Sequence, residues 1–260
     1  MAITATGNPK NAYEVGAIVA KESRAAGVQW NLSPVVDVNN NPLNPIINTR
    51  SFSENTGIVS EYAAQYIRGL QENGMISTAK HFPGHGDTQT DSHSSLAMIP
   101  SDSSRLWSVE LKPFIDVANA GVDAIMIAHV HAPDFQPESD IPATLSKFWV
   151  TDILKNKIGY KGIIITDGMG MGGVTKNYAD DYAIIEAVKA GCDVIIQNYD
   201  IVGSINAIED AVKNNEISIE QINSSVLKIL KMKENAGLHL NPFVDLDFMM
   251  KTIGIKEHKE

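Results

Sequence analysis

Residues 80–93 read KHFPGHGDTQTDSH and directly follow a short apolar run at residues 75–79. The apolar run reads as a strand. Pro83, Gly84 and Gly86 then break regular structure, so the remainder reads as a loop leaving the strand end. That loop carries a lysine, three histidines and two aspartates, and loops held by a rigid scaffold are where chemistry concentrates. A solvated polar turn would use the glycines and the proline but has no need of Asp91-x-His93. In an extended segment residues two apart point the same way. Asp91 is therefore placed to orient His93 as a carboxylate orients the histidine of a Ser-His-Asp triad.

Outward from this loop, apolar residues at helical spacing predict helices over residues 11–26, 54–72, 103–120, 146–156, 179–190, 202–212 and 218–233. Ser146 reads as the cap of the fourth. Apolar runs at 28–38, 75–79, 124–128, 162–166 and 194–196 read as strands. Continuous rather than alternating apolar strands, separated by helices, are the pattern of an α/β fold with a parallel sheet covered on its faces. Polar residues gather just past the strand ends: Asp37, Lys80 with His81, His129, Asp167 and Asn198. A β/α barrel places its active site at that end, and an open doubly wound sheet places it in a crevice there. Periodicity alone leaves both open.

The chain has 260 residues, enough for one large domain with a substantial core. Its 21 basic against 31 acidic residues give a net charge of −10, which argues against nucleic acid as a partner. A single cysteine, Cys192, excludes an internal disulfide. It leaves the compartment open between cytoplasm and a periplasmic or secreted location. No apolar run reaches membrane-spanning length, and the opening residues MAITATGNPKN lack the apolar core of a signal peptide.

The loop motif KHFPGHGDTxxDSH resembles the signature of glycoside hydrolase family 3, in its beta-N-acetylglucosaminidase branch. So do LSPVVDVNNNP from Leu32, TRSF around Arg50, MIAHV ending at Val130 and IITDGMGM around Asp167. The resemblance implies a (β/α)8 TIM-type barrel. A closed barrel needs eight strands, and five are legible here. The expectation is therefore an incomplete barrel over residues 1–240, lacking its first strands, followed by a linker at 241–260 toward a further domain. It also implies that the chain is a fragment cut at both ends.

Retaining glycoside hydrolysis needs a nucleophile and an acid/base. By the resemblance Asp167 is the nucleophile and His93, oriented by Asp91, the acid/base. An imidazole titrating near neutrality suits that role. Gly168 departs from an acidic residue frequent in bacterial relatives. Arg50, Lys80 and His81 match sugar-binding positions; on its own, Arg50 would read as a surface ion pair. His129 and Met171 are expected to line the pocket. Asp37 reads equally as a structural partner of Lys80 or Arg50, and His85 and Asp87 as residues that shape the loop. The implied activity is a retaining exo-beta-N-acetylglucosaminidase acting on peptidoglycan fragments (muropeptides) or other GlcNAc-ended glycans, with no cofactor. Three alternatives compete: a family 3 phosphorylase; a metal-dependent hydrolase using His81, His85, Asp87, Asp91 and His93; and an inactive, truncated glycan-binding fragment.

Overall fold

The structure is a computed structural model, and it describes residues 1–89, 92, 95–100, 102–136, 140–197 and 199–259. In chain order the elements are α1 (Lys10–Ala25), α2 (Thr56–Glu72), β1 (Thr78–Phe82), β2 (Ala97–Met98), α3 (Ser103–Arg105), α4 (Lys112–Asn119), β3 (Ala124–Ile127) and β4 (Val130–His131). They continue with β5 (Ile163–Gly168), α5 (Gly172–Thr175), α6 (Asp180–Ala190), β6 (Val194–Ile196), α7 (Ile201–Lys213), α8 (Ile219–Asn235) and α9 (Leu246–Thr252). Two stretches, Leu106–Glu110 and Phe148–Lys157, are wound as π-helix where the apolar spacing predicts ordinary helix.

The main sheet is parallel throughout and runs in the order β1-β3-β5-β6. The chain around residues 30–35 lies parallel beside β1, through bridges from Trp30 to Ile76 and from Val35 to Lys80. Order in space thus follows order in sequence across the whole sheet. A doubly wound sheet reverses its order at a switch point; this one does not, and it forms an arc of a β/α barrel. The barrel is not closed among the described residues. A small second sheet pairs β2 with β4 in parallel.

The core explains why β1 is held where it is. Phe82, at its end, is fully buried between Phe114 of α4 and Trp149 of the π-helical stretch, with ring centroids 5.3 and 6.0 Å away. Edge-on aromatic packing of this kind adds about 1 kcal/mol per pair beyond burial alone. The Trp149 indole N–H donates to Gln136 Oε1 at 2.8 Å, so its one polar atom is satisfied. On the outer layer α1 and α2 cross closely. A side chain at Gly69 would meet the Tyr13 carbonyl oxygen at 2.2 Å, so the crossing requires glycine.

Several boundaries differ from the sequence reading. The strand expected at 75–79 pairs from Thr78 to Phe82, which puts Lys80 and His81 inside β1 rather than past its end. Residues 73–75 instead close the end of α2 by turning their amides back onto Gln71 and Leu70. The Ser146 side chain does not cap a helix: its backbone is extended after a 3-10 turn, and its buried hydroxyl has no hydrogen-bond partner among the described residues. Residues 246–252 form α9, and the segment after it returns to α1, where Gly254 N and His258 Nδ1 meet Glu22 Oε1 at 2.8 and 2.7 Å. Among the described residues no helix is long and apolar enough to cross a membrane.

Candidate active site

Parallel strands bring their C-terminal ends to one side, and that is where Asp37, Lys80, His81 and Asp167 meet. At two places there the ladder slips. The β1–β3 register shifts between Ala79 and Phe82, and the β5–β6 register shifts between Ile165 and Gly168. Irregularities of this kind re-aim side chains and are frequent beside active sites. The first spans Lys80 and His81, whose connecting peptide is cis. The second spans Asp167. All three side chains border a single cavity of about 370 Å³, a volume in the range of small-molecule sites. Arg50, His85, Ser92 and Met171 also border it, and Leu32, Ile46, Met126 and Ile196 supply apolar wall.

Asp37 organises the β1 side from beneath. It is fully buried and accepts from three nitrogens: His81 N at 3.2 Å, His81 Nδ1 at 2.7 Å and His85 N at 2.7 Å. A carboxylate only accepts, so His81 Nδ1 carries the proton there. Burial works against the charge of Asp37. The His81 ring, its hydrogen bond and the neighbouring His85 outweigh burial and hold the carboxyl below its ordinary range. Among the described residues the hydrogen-bond partners of the Asp37 carboxylate are therefore His81 and His85, and toward Lys80 it acts through charge. The other edge of the His81 ring faces the guanidinium, with Arg50 Nη2 3.4 Å from Nε2.

Lys80 is half-buried. Burial, and then the nearby Arg50, pull its pKa below the ordinary ammonium range, against the opposing pull of Asp167 and Asp37. Asp167 is half-buried, and its Oδ1 accepts from Gly168 N at 2.8 Å. Among the described residues no donor meets its other oxygen. A carboxylate with one oxygen anchored and one turned to a cavity of cationic and polar groups is equipped to attack an electrophilic carbon.

The loop beyond β1 folds tightly against the extended chain at residues 35–38. A side chain at Gly86 would sit 1.8 Å from the Val38 carbonyl oxygen. Asn44 Nδ2 donates to the His85 and Gly86 carbonyls at 2.7 and 3.0 Å. Arg105 ion-pairs with Asp87 at 2.6 Å, so that carboxylate turns toward α3.

The expected residues divide clearly. Arg50, Lys80, His81, Asp167 and Met171 come together. His129 is not among the residues bordering the cavity. It is fully buried behind Gly168, donating from Nε2 to that carbonyl at 2.9 Å, with Nδ1 2.8 Å from the Thr144 hydroxyl. His85, read as loop-shaping, also borders the cavity. Asp91, His93 and Asn198 lie outside the described residues. The metal-ligand grouping does not assemble among the described residues: His81 is taken up by Asp37, His85 by two hydroxyls and Asp87 by Arg105. The sequence reading passed over Ser92 and Ile46, which carry no recognisable pattern of their own.

A profile of the glycosyl hydrolase family 3 N terminal domain matches residues 1–232. Beta-hexosaminidase A of Pseudoalteromonas piscicida is 34% identical over 241 residues, which cover 85% of this chain and 40% of that protein. A solved family 3 beta-N-acetylglucosaminidase from a Paenibacillus species superposes with a TM-score of 0.91 at 35% identity, over 97% of this chain and 51% of that one. A beta-glucoside phosphorylase superposes with a TM-score of 0.94 at 26% identity, over 99% and 48%. The chain spans about half the length of the curated relatives it matches.

Proposed function

The chain belongs to glycosyl hydrolase family 3, and from that membership we propose that it supplies the catalytic part of a retaining exo-beta-N-acetylglucosaminidase. The observation that carries the reading is the single cavity shared by Asp167 with Arg50, Lys80 and His81. Asp167 attacks the anomeric carbon of a terminal GlcNAc, and the bond to the leaving oxygen breaks as His93 protonates that oxygen. Water then attacks the glycosyl-enzyme, giving its proton to His93, and GlcNAc leaves with its configuration retained. Asp91 orients and charges His93. Arg50, Lys80 and His81 hold the sugar's hydroxyls, and the cationic Arg50 and Lys80 leave the nucleophile without a competitor. Residues 1–240 form the barrel portion, and 241–260 lead toward a further domain. GlcNAc-ended glycans, peptidoglycan fragments among them, are the substrate class, which the names of the relatives support.

The test is a comparison of leaving groups. Asp167→Ala is expected to abolish turnover even of activated aryl glycosides. His93→Ala is expected to lose on the order of a hundred- to ten-thousand-fold on poor leaving groups and much less on aryl glycosides, with azide restoring the second step. Equal losses in His93→Ala on both kinds of substrate, together with turnover surviving in Asp167→Ala, would reverse these roles.

A phosphorylase is the second reading. It is favoured by the fit to the beta-glucoside phosphorylase and by the Lys80–Arg50 pair, which would receive an anion beside the sugar. Release of GlcNAc-1-phosphate in phosphate buffer would select it; free GlcNAc alone would reject it.

A further inference from the structure

We propose that His85 is a positioning residue, a strut that fixes the loop carrying Asp91 and His93 by gripping Ser92 between them. The role rests on the acid/base assignment given above. His85 is 1% exposed. Its backbone amide donates to Asp37 Oδ1 at 2.7 Å, so the root of the side chain is tied to the same carboxylate that ties His81. Its ring then spans two hydroxyls, with Nδ1 2.6 Å from Thr88 Oγ1 and Nε2 2.9 Å from Ser92 Oγ. Both hydroxyl residues are buried.

Ser92 is held from a second side as well. Its carbonyl accepts from Gly173 N at 3.0 Å, at the start of the short helix that follows Asp167. A chain of contacts thus runs from Asp37 beneath β1, through His85 and Ser92, to the segment after β5. The peptide neighbours of Ser92 are Asp91 and His93. A serine that merely turned the chain would not need its hydroxyl and its carbonyl both engaged in the interior. Burial lowers the pKa of His85, so near neutral pH the ring is uncharged. It then offers one donor and one acceptor, which a pair of hydroxyls complements in either tautomer. The strut takes no part in proton transfer and places the residues that do.

The test uses the full chain with His85→Ala, Ser92→Ala and the double variant, and two readouts. Amide hydrogen exchange of the peptide covering residues 86–96 reports the grip whether or not the protein turns over. It is expected to quicken at least about tenfold in each single variant, with peptides from β5 and α6 unchanged. Unchanged exchange at 86–96 would overturn the strut. The second readout is hydrolysis of an aryl GlcNAc glycoside with and without azide. A misplaced acid/base is expected to lower kcat on the order of a hundredfold on a poor leaving group and much less on the aryl glycoside, with azide recovering part of the aryl loss, and the double variant is expected to be no slower than the slower single. Additive losses, or equal losses on all leaving groups without azide recovery, would show a general structural defect instead. If His85→Ala fails to fold, Ser92→Ala carries both measurements. A parent protein that never uses Asp167 would sink the glycosidase reading, and the exchange arm would still decide the strut.

Discussion

At the scale of single residues the site depends on buried groups that never touch a substrate. Asp37 is fully buried and accepts from three N–H groups of His81 and His85. Asp37→Asn would place an amide N–H₂ against those donors, and we expect a loss of about 3 kcal/mol in urea unfolding; a loss under about 0.5 kcal/mol would contradict the clasp. The folded pKa of Asp37 lies below its ordinary 3.8. Its contribution is therefore fully present above pH 3.8 and is lost as the pH falls through the folded value. His85 acts in a different window. Its folded pKa lies below 6.5 because of burial, so below pH 6.5 the unfolded chain binds a proton that the folded chain refuses. Stability should fall as the pH drops from 6.5, by at most about 1.4 kcal/mol per pH unit from this one group. His85→Asn should flatten that slope, and an identical slope in the variant would rule His85 out as its source. Much of the cavity was legible in the sequence, since Arg50, Lys80, His81, Asp167 and Met171 were singled out and do share it. The Asp37 clasp was not, because its partners lie 44 residues and more away. Nor was the retreat of His129 behind Gly168, since sequence position past a strand end does not say on which side of the backbone a ring falls.

At the scale of elements the structure depends on close approaches that apolar spacing does not encode. Helices α1 and α2 were legible from apolar spacing, and Asn55 caps α2 by accepting from Ile58 N at 3.1 Å. The depth of their contact is set by Gly69, against the Tyr13 carbonyl. Gly69→Ala should force the helices apart and cost about 1–3 kcal/mol in thermal or urea unfolding. Helix propensity alone would predict a gain instead, because alanine is the better helix former; a more stable variant would show that the crossing relaxes freely. The start of β1 was misread for a related reason. Residues 75–79 are apolar, but pairing with β3 begins at Thr78, and a hydrophobic run marks burial rather than the register at which a neighbour joins. The π-helical winding of Phe148–Lys157 and the bare hydroxyl of Ser146 have no counterpart in residue spacing either.

At the scale of the whole molecule, the parallel arc separates two kinds of acidic residue. Asp123 and Asp193 lie where β3 and β6 begin and serve the scaffold. Asp123 accepts from Ser77 N and Oγ, and Asp193 accepts from Ile164 N, Ser225 and Lys228. Asp167, at the other end, faces a cavity. The sequence already carried this polarity in its alternation of apolar strands and polar strand ends. The choice between barrel and open sheet needed the observed strand order, because alternation is common to both folds. If Asp167 is the nucleophile proposed above, it becomes covalently glycosylated. The most direct measurement is incubation with a fluorinated GlcNAc analogue bearing an activated leaving group, chosen so that the glycosyl-enzyme accumulates, followed by proteolysis and mass spectrometry. One added sugar is expected on the peptide containing Asp167, and none in Asp167→Ala. Turnover of substrate with the label on a different carboxylate, or with no label at all, would contradict that assignment.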